Sequence, residues 1–308
     1  MRLDDLEQSN NVEDRRGQSG GGGGFGLPIG GGGLGIGTII ILGLVGWALG
    51  IDPRVLIGGA EILSGGNSQV QQPAPRQTRT GSPSDDMGTF VSKVLGSTEQ
   101  QWKAVFQEGG KSYRAPILVM YNGRTAAAGC GAAQSAMGPF YCPSDQKIYL
   151  DTAFFRELEE RFRGCSGKAC QFSEAYVIAH EVGHHVQNQL GVLPRVQQQQ
   201  QQVDKVEANQ LQVRVELQAD CLAGVWAARE NQTLKREGKP SFIEPGDVEA
   251  AMQTASAIGD DTLQRKATGR VVPDAFTHGS AAQRQRWFMT GLKEGNIAAC
   301  NTFRANNI

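Results

Sequence analysis

The sequence predicts a mainly helical α+β domain with a small sheet, and three observations carry that expectation. Two short apolar runs bounded by turn residues, "APILVMYNG" at 115–123 and "QKIYLD" at 146–151, read as strands. Apolar residues at helical spacing recur through 89–109, 152–163, the stretch around 173–191 and 196–229. The first third differs. The chain of 308 residues carries 41 glycines, which crowd its N-terminal part, so the folded region is shorter than the whole.

Taken in order, residues 1–33 read as a polar, glycine-rich tail. The run "LGIGTIIILGLVGWALGI" at 34–51 holds no charge and is close to the shortest length that spans a hydrocarbon core of about 30 Å, so a single transmembrane helix is expected there. Its glycines, each costing roughly 1 kcal/mol relative to alanine in a soluble helix, fit lipid better than a buried core helix. A cleaved signal peptide is the other reading. The long charged and glycine-rich stretch ahead of the run, and the lack of an A-x-A site after it, disfavour that. Arg15 and Arg16 before the run, against Arg54 alone after it, orient the N-terminus to the cytoplasm and the domain outside. Residues 52–88, rich in Gly, Pro, Gln and Ser, read as a flexible linker, which leaves 89–308 as the folded domain. Within it, Ser97 or Thr98 followed by Glu and Gln has the pattern of a cap between two helices. The glutamine run 197–202 reads as a solvated helix face or surface loop.

A net charge of −1 argues against a nucleic-acid partner. Six cysteines, an even count with two close pairs, read as disulfides in an oxidising compartment or as a metal-binding set in the cytosol. Structural zinc usually wants two C-x₂₋₄-C knuckles, and only the Cys165/Cys170 pair comes near that spacing. Disulfides are therefore favoured, and pairing by proximity gives Cys130–Cys142, Cys165–Cys170 and Cys221–Cys300.

The chemistry concentrates in "VIAHEVGHH". His180, Glu181 and His184 spell H-E-x-x-H, and positions i and i+4 of a helix share a face, so both imidazoles point at one centre with the spacing tetrahedral zinc needs. Glu181 sits beside that face, within reach of a metal-bound water. The apolar residues Tyr176 to Ala179 and Val186 mark a buried helix. Hydrolytic zinc usually takes a third protein ligand and keeps one position open. His185 points about 100° away, and no histidine follows at metzincin spacing. In "VRVELQADCLAGVWAA", Glu216 and Asp220 again share one face of an apolar helix, where acidic groups are costly unless paired or bound to metal. Glu216 as third ligand and Asp220 as acceptor from the second nitrogen of His180 account for both. One zinc ion is expected, although a His₂Glu set accepts other divalent ions.

Together with "NVEDRRG", "AGCGAAQSAMGPFYCPSDQKIYLD" and "HGSAAQRQRWF", these motifs make the chain similar to the bacterial neutral zinc metallopeptidases, which are single-pass membrane proteins. The resemblance covers nearly everything except the linker and the glutamine run. It implies a zincin-like fold of the glutamate-ligand type, in which the strand around Ile148 is the sheet edge beside the zinc helix and pairs with an extended peptide. It also implies that His278 donates to the transition-state oxyanion, with Arg284 or Arg286 as alternatives. His185 reads as a support behind the ligands or as a structural residue. The expected activity is hydrolysis of peptides or unfolded proteins with Glu181 as general base. The rival is a catalytically silent, zinc-stabilised binding protein on the outer face of the inner membrane. Nothing in the sequence assigns an oligomeric state.

Overall fold

In the computed structural model, residues 1–17, 79–81, 83–134, 138–160, 170–306 and 308 are described. Seven strands and eight α-helices lie among them, and the domain is the mainly helical α+β type expected. The strands are β1 (Val12–Asp14), β2 (Arg79–Thr80), β3 (Ile117–Tyr121), β4 (Arg124–Ala127), β5 (Gly131–Gln134), β6 (Phe140–Cys142) and β7 (Lys147–Asp151). The helices are α1 (Asp86–Glu108), α2 (Ala153–Glu160), α3 (Cys170–Gln189), α4 (Val192–Gln200), α5 (Lys205–Arg236), α6 (Asp247–Ala257), α7 (Asp260–Thr268) and α8 (Ala281–Glu294).

The main sheet has the order β2-β1-β3-β7-β6. β1, β3 and β7 run parallel, and β2 and β6 lie antiparallel at the two edges. Side chains of β3 alternate, as period-2 geometry requires. Leu118 and Met120 join the helices in the main core, while Val119 and Tyr121 pack with Tyr149, Ala127 and Cys142 on the opposite face, beside the β4–β5 hairpin. A disulfide from Cys130 to Cys142 ties that hairpin region to edge strand β6, and a second joins Cys221 to Cys300. Both follow the pairing by proximity. The third expected bond lies outside the described residues, because Cys165 does.

Three expectations need correcting. The strand around Ile148, β7, is internal, flanked by β3 and β6. The edge beside the histidine helix is β6, whose Tyr141 hydroxyl meets His185 Nδ1 at 3.1 Å and accepts from Asn188 Nδ2 at 2.9 Å, both on α3. Ser97 and Thr98 cap nothing, since α1 runs unbroken across them. Ser97 donates instead to buried Glu230, and Thr98 to the carbonyl of Leu95.

The largest correction concerns the beginning of the chain. Residues 1–17, expected within a separate tail, belong to the domain. Val12, fully buried in β1, pairs beside Leu118, and Met1 and Leu6 are buried in the main core. Gly96 of α1 permits this, because a β-carbon there would stand 2.3 Å from the carbonyl oxygen of Glu7. The domain's second contribution also starts before residue 89, with β2 and with α1 capped by Asp85, which accepts from Gly88 N at 3.0 Å. The charges of "NVEDRRG" made the segment look solvated, yet they are partnered. Glu13 meets both Arg15 and Lys147 at 2.8 Å, and Arg16 bridges Asp14 and Asp85. The expected span at 34–51 and most of the linker lie outside the described residues. Among the described residues, no helix is long and apolar enough to cross a membrane.

Candidate metal centre

The site forms where α3 crosses α5. At the crossing, Gly183 faces Ala219, and a β-carbon on Gly183 would stand 3.1 Å from both the Cα and the carbonyl oxygen of Ala219. The glycine inside H-E-x-x-H thus lets the histidine helix approach the turn that carries Glu216 and Asp220. Apolar burial on both helices, Tyr176 to Ala179 and Val182 on one, Val215, Leu217 and Leu222 on the other, fixes which faces meet.

His180, His184 and Glu216 converge so that one ligand atom from each lies within 4.8 Å of the others. Glu216 Oε2 is 3.2 Å from His180 Nε2 and 3.4 Å from His184 Nε2. Donors on a tetrahedron of radius about 2.0–2.1 Å stand about 3.3–3.4 Å apart, so these separations suit a single ion.

The surroundings of the rings strengthen that fit. Asp220 Oδ1 lies 2.8 Å from His180 Nδ1. A carboxylate only accepts, so Nδ1 carries a proton, and Nε2 is left as the nitrogen that faces Glu216. Behind His184, Gln187 Oε1 is 2.9 Å from Nδ1. The Gln187 amide cannot be reversed, because its Nε2 already donates to Val215 O at 2.8 Å and Gln218 Oε1 at 3.0 Å. His184 Nε2 is therefore likewise the ring nitrogen left to face Glu216. Two such nitrogens sit this close to a carboxylate oxygen with positive charge between them, as a metal ion or as protons on the rings.

The negative charge that would draw a metal ion to this point also draws protons to the rings. Burial disfavours a charged ring, but Asp220 and Glu216 outweigh it and push the His180 pKa up to about 10. Burial likewise opposes charge on His184, yet Glu216 raises its pKa. Asp220 is buried, which alone would raise its pKa; Arg284 and His180 hold it down at about 2. Arg284 clasps it with Nε and Nη2, each at 2.9 Å, and the Tyr176 hydroxyl donates to it at 2.6 Å.

Glu181 is buried at 7 % exposure and has no hydrogen-bond or ion-pair partner among the described residues. Burial raises its pKa against the pull of the two histidines. It is the uncommitted carboxylate of the site.

His278 lies in the loop before α8, with its side chain 51 % exposed. Asp260 clamps that loop. Its Oδ2 accepts the backbone N–H groups of Thr277, His278 and Gly279 at 2.7, 2.6 and 3.1 Å, and its Oδ1 lies 3.2 Å from His278 Nδ1. Partial desolvation opposes a charged His278 ring, but Asp260 and Glu216 raise its pKa. Arg284, the first alternative to His278, is buried on Asp220. Arg286, the second, is exposed, with its guanidinium 5.9 Å from the Trp287 ring centre. His185 points away from the ligands, with Nε2 2.6 Å from Arg114 O, as its position on the helix required. Sequence reasoning missed Asp260 and Gln187. Gln187 stood three residues beyond His184, a spacing that could have found it; Asp260 left no such mark.

A helical α+β domain whose two central helices bring two imidazoles and one carboxylate to a common point has the donor set that could hold a metal ion. The chain belongs to the family described as "Putative neutral zinc metallopeptidase", which matches residues 1–303. "Uncharacterized protein YpfJ" of Escherichia coli (strain K12) is 46% identical over 308 residues, covering 98% of this chain and 99% of that protein. "Uncharacterized protein Rv2575" of Mycobacterium tuberculosis (strain H37Rv) is 44% identical over 237 residues, 75% of this chain and 76% of its own length. No solved structure matches the chain.

Proposed function

We propose that this protein is a zinc-dependent peptidase that cleaves peptides or unfolded proteins. The observation that carries the reading is Glu181, a buried carboxylate with no partner among the described residues, beside two imidazoles and Glu216. A site that only bound metal for stability would gain nothing from burying it. Held by His180, His184 and Glu216, zinc would lower the pKa of a bound water toward neutrality and polarise the scissile carbonyl.

Glu181 then takes a proton from the attacking water onto its carboxylate and passes it to the leaving amine. Its raised affinity for protons suits both halves of that transfer. His278, with Nδ1 turned to Asp260, keeps Nε2 for donation to the developing oxyanion. Asp220 and Arg284 hold the His180 ring in place. An extended substrate would pair with edge strand β6, which Tyr141 anchors to α3. Elemental analysis and protease assay test the reading. Expected are about one zinc per chain and hydrolysis of an unfolded protein that a chelator abolishes and zinc restores. Metal-free protein with unchanged hydrolysis would refute it.

We further propose that the apolar run at 34–51 associates the protein with a lipid bilayer and that the N-terminus and the domain share one compartment. β1 and β2 flank the run in sequence and are hydrogen-bonded neighbours, so both flanks belong to one body. This replaces the expectation of a cytoplasmic N-terminus and an external domain. The disulfides favour the extracytoplasmic side. Cysteines introduced at exposed Asn10 and Lys111 should react together, or not at all, with a membrane-impermeant reagent in spheroplasts. Reaction of only one would separate the two compartments again.

A further inference from the structure

The glutamine run at 197–202 reaches the histidine–glutamate cluster through Gln200. Gln200 is half-buried, whereas Gln197 to Gln199 beside it on α4 and Gln201 and Gln202 after it are exposed. Its Nε2 donates to Gln212 Oε1 at 3.2 Å and to the carbonyl of Ala208 at 3.1 Å. Gln212 sits one turn before Glu216 on α5, and its Nε2 donates to Glu216 Oε1 at 2.8 Å. The other oxygen of that carboxylate, Oε2, is the one that faces His180 and His184.

Gln200 and the acceptor-only carboxylate together fix which way the Gln212 amide points. We infer that Gln212, oriented by Gln200, is a positioning residue that reserves Glu216 Oε1 for a protein hydrogen bond and so makes Glu216 a one-oxygen metal ligand. The inference rests on the metal reading of the site. A carboxylate free of such a donor can turn and offer both oxygens to a cation, as carboxylates on calcium do. That would occupy the position which a water must hold for hydrolysis. With Asp220 behind His180 and Gln187 behind His184, each of the three ligands then has its own outer support. The support of Glu216 is the only one of these three that continues into an exposed helix, α4.

The test uses the full chain, stripped of metal and reloaded with Zn²⁺ or Co²⁺. Zinc affinity is read by chelator competition, and coordination number by the visible spectrum of the cobalt form, which absorbs more strongly when four-coordinate than when five-coordinate. Gln212→Leu should weaken zinc binding about tenfold and shift the cobalt spectrum to the weaker, higher-coordinate form. Gln200→Leu, on the surface helix, should give the same spectral change in part and lose roughly threefold in affinity, as expected for one neutral hydrogen bond. Gln212→Lys, which restores a donor, should recover the four-coordinate spectrum. Wild-type affinity and spectrum in both leucine variants would overturn the inference and leave the metal site standing. If the wild-type chain takes up neither ion, the site reading and the inference fall together. Should Gln212→Leu fail to fold, Gln200→Leu decides by the same two measurements.

Discussion

Two charged regions of this protein are built on opposite rules. In the N-terminal strand, each carboxylate meets a cation: Glu13 lies between Arg15 and Lys147, and Arg16 joins Asp14 to Asp85. At the α3–α5 crossing, Glu181 is buried with no partner among the described residues, and two ring nitrogens converge on an oxygen of Glu216. The first arrangement is complete in itself and holds β1 in the sheet. The second, on the function proposed above, is completed by a cation and a reacting water. Charge alone therefore does not distinguish scaffold from chemistry; satisfaction of the charge does.

Substitutions should separate the two regions. Glu181→Gln should lower turnover by roughly 10²- to 10⁴-fold while zinc content, measured by elemental analysis, stays at the wild-type level. Turnover within a few fold of wild type would remove Glu181 from proton transfer and erase the contrast. His278→Ala should cost about 10²- to 10³-fold in kcat with little change in KM, as for a lost oxyanion donor. A pure KM effect would make it a substrate-binding residue instead. Asp220→Asn should weaken zinc retention by roughly 10- to 100-fold in chelator competition, since the neutral amide no longer supports a donating His180.

On the scaffold side the readout is stability. Val12→Ala should destabilise the fold by about 2 kcal/mol and leave kcat of the folded fraction unchanged. A loss of kcat at full folding would mean that β1 reaches the site. The smallest effect concerns pH. Hydrogen bonds from Arg16 hold the Asp85 pKa down at about 2, below its ordinary value. A carboxyl depressed by folding stabilises the native state above its ordinary pKa, and the contribution is lost as pH falls through the folded value. Amide exchange in β1 should accordingly quicken between about pH 4 and pH 2 before the rest of the sheet, and Asp85→Asn should abolish that early step.

Much of the site was legible because helical periodicity is local. His180 with His184, and Glu216 with Asp220, are each four apart, and a helix alone puts each pair on one face. The apolar residues between them said that those faces are buried. Gln187, Gln212 and Asp260 were not legible in the same way. A glutamine on a helix has the look of a solvated residue until a partner helix presents a ligand to it, and Asp260 reaches His278 only through the folding of the loop before α8. The N-terminal strand failed for another reason. Three residues of strand are too short for alternation to show, and four consecutive charged residues conceal the single buried valine.

By itself the sequence determined helices α1, α2, α3 and α5 in outline, strands β3 and β7, the Cys130–Cys142 disulfide and the two pairs His180/His184 and Glu216/Asp220, because all of these follow from short-range spacing; helices α6, α7 and α8 it did not show. The tertiary structure alone decided that the chain's first residues complete the sheet, that β6 rather than β7 forms the edge beside the site, and which amide or carboxylate stands behind each ligand. Those outcomes depend on which faces of distant segments meet, and packing sets that through a few close approaches such as Gly96 on Glu7 and Gly183 on Ala219.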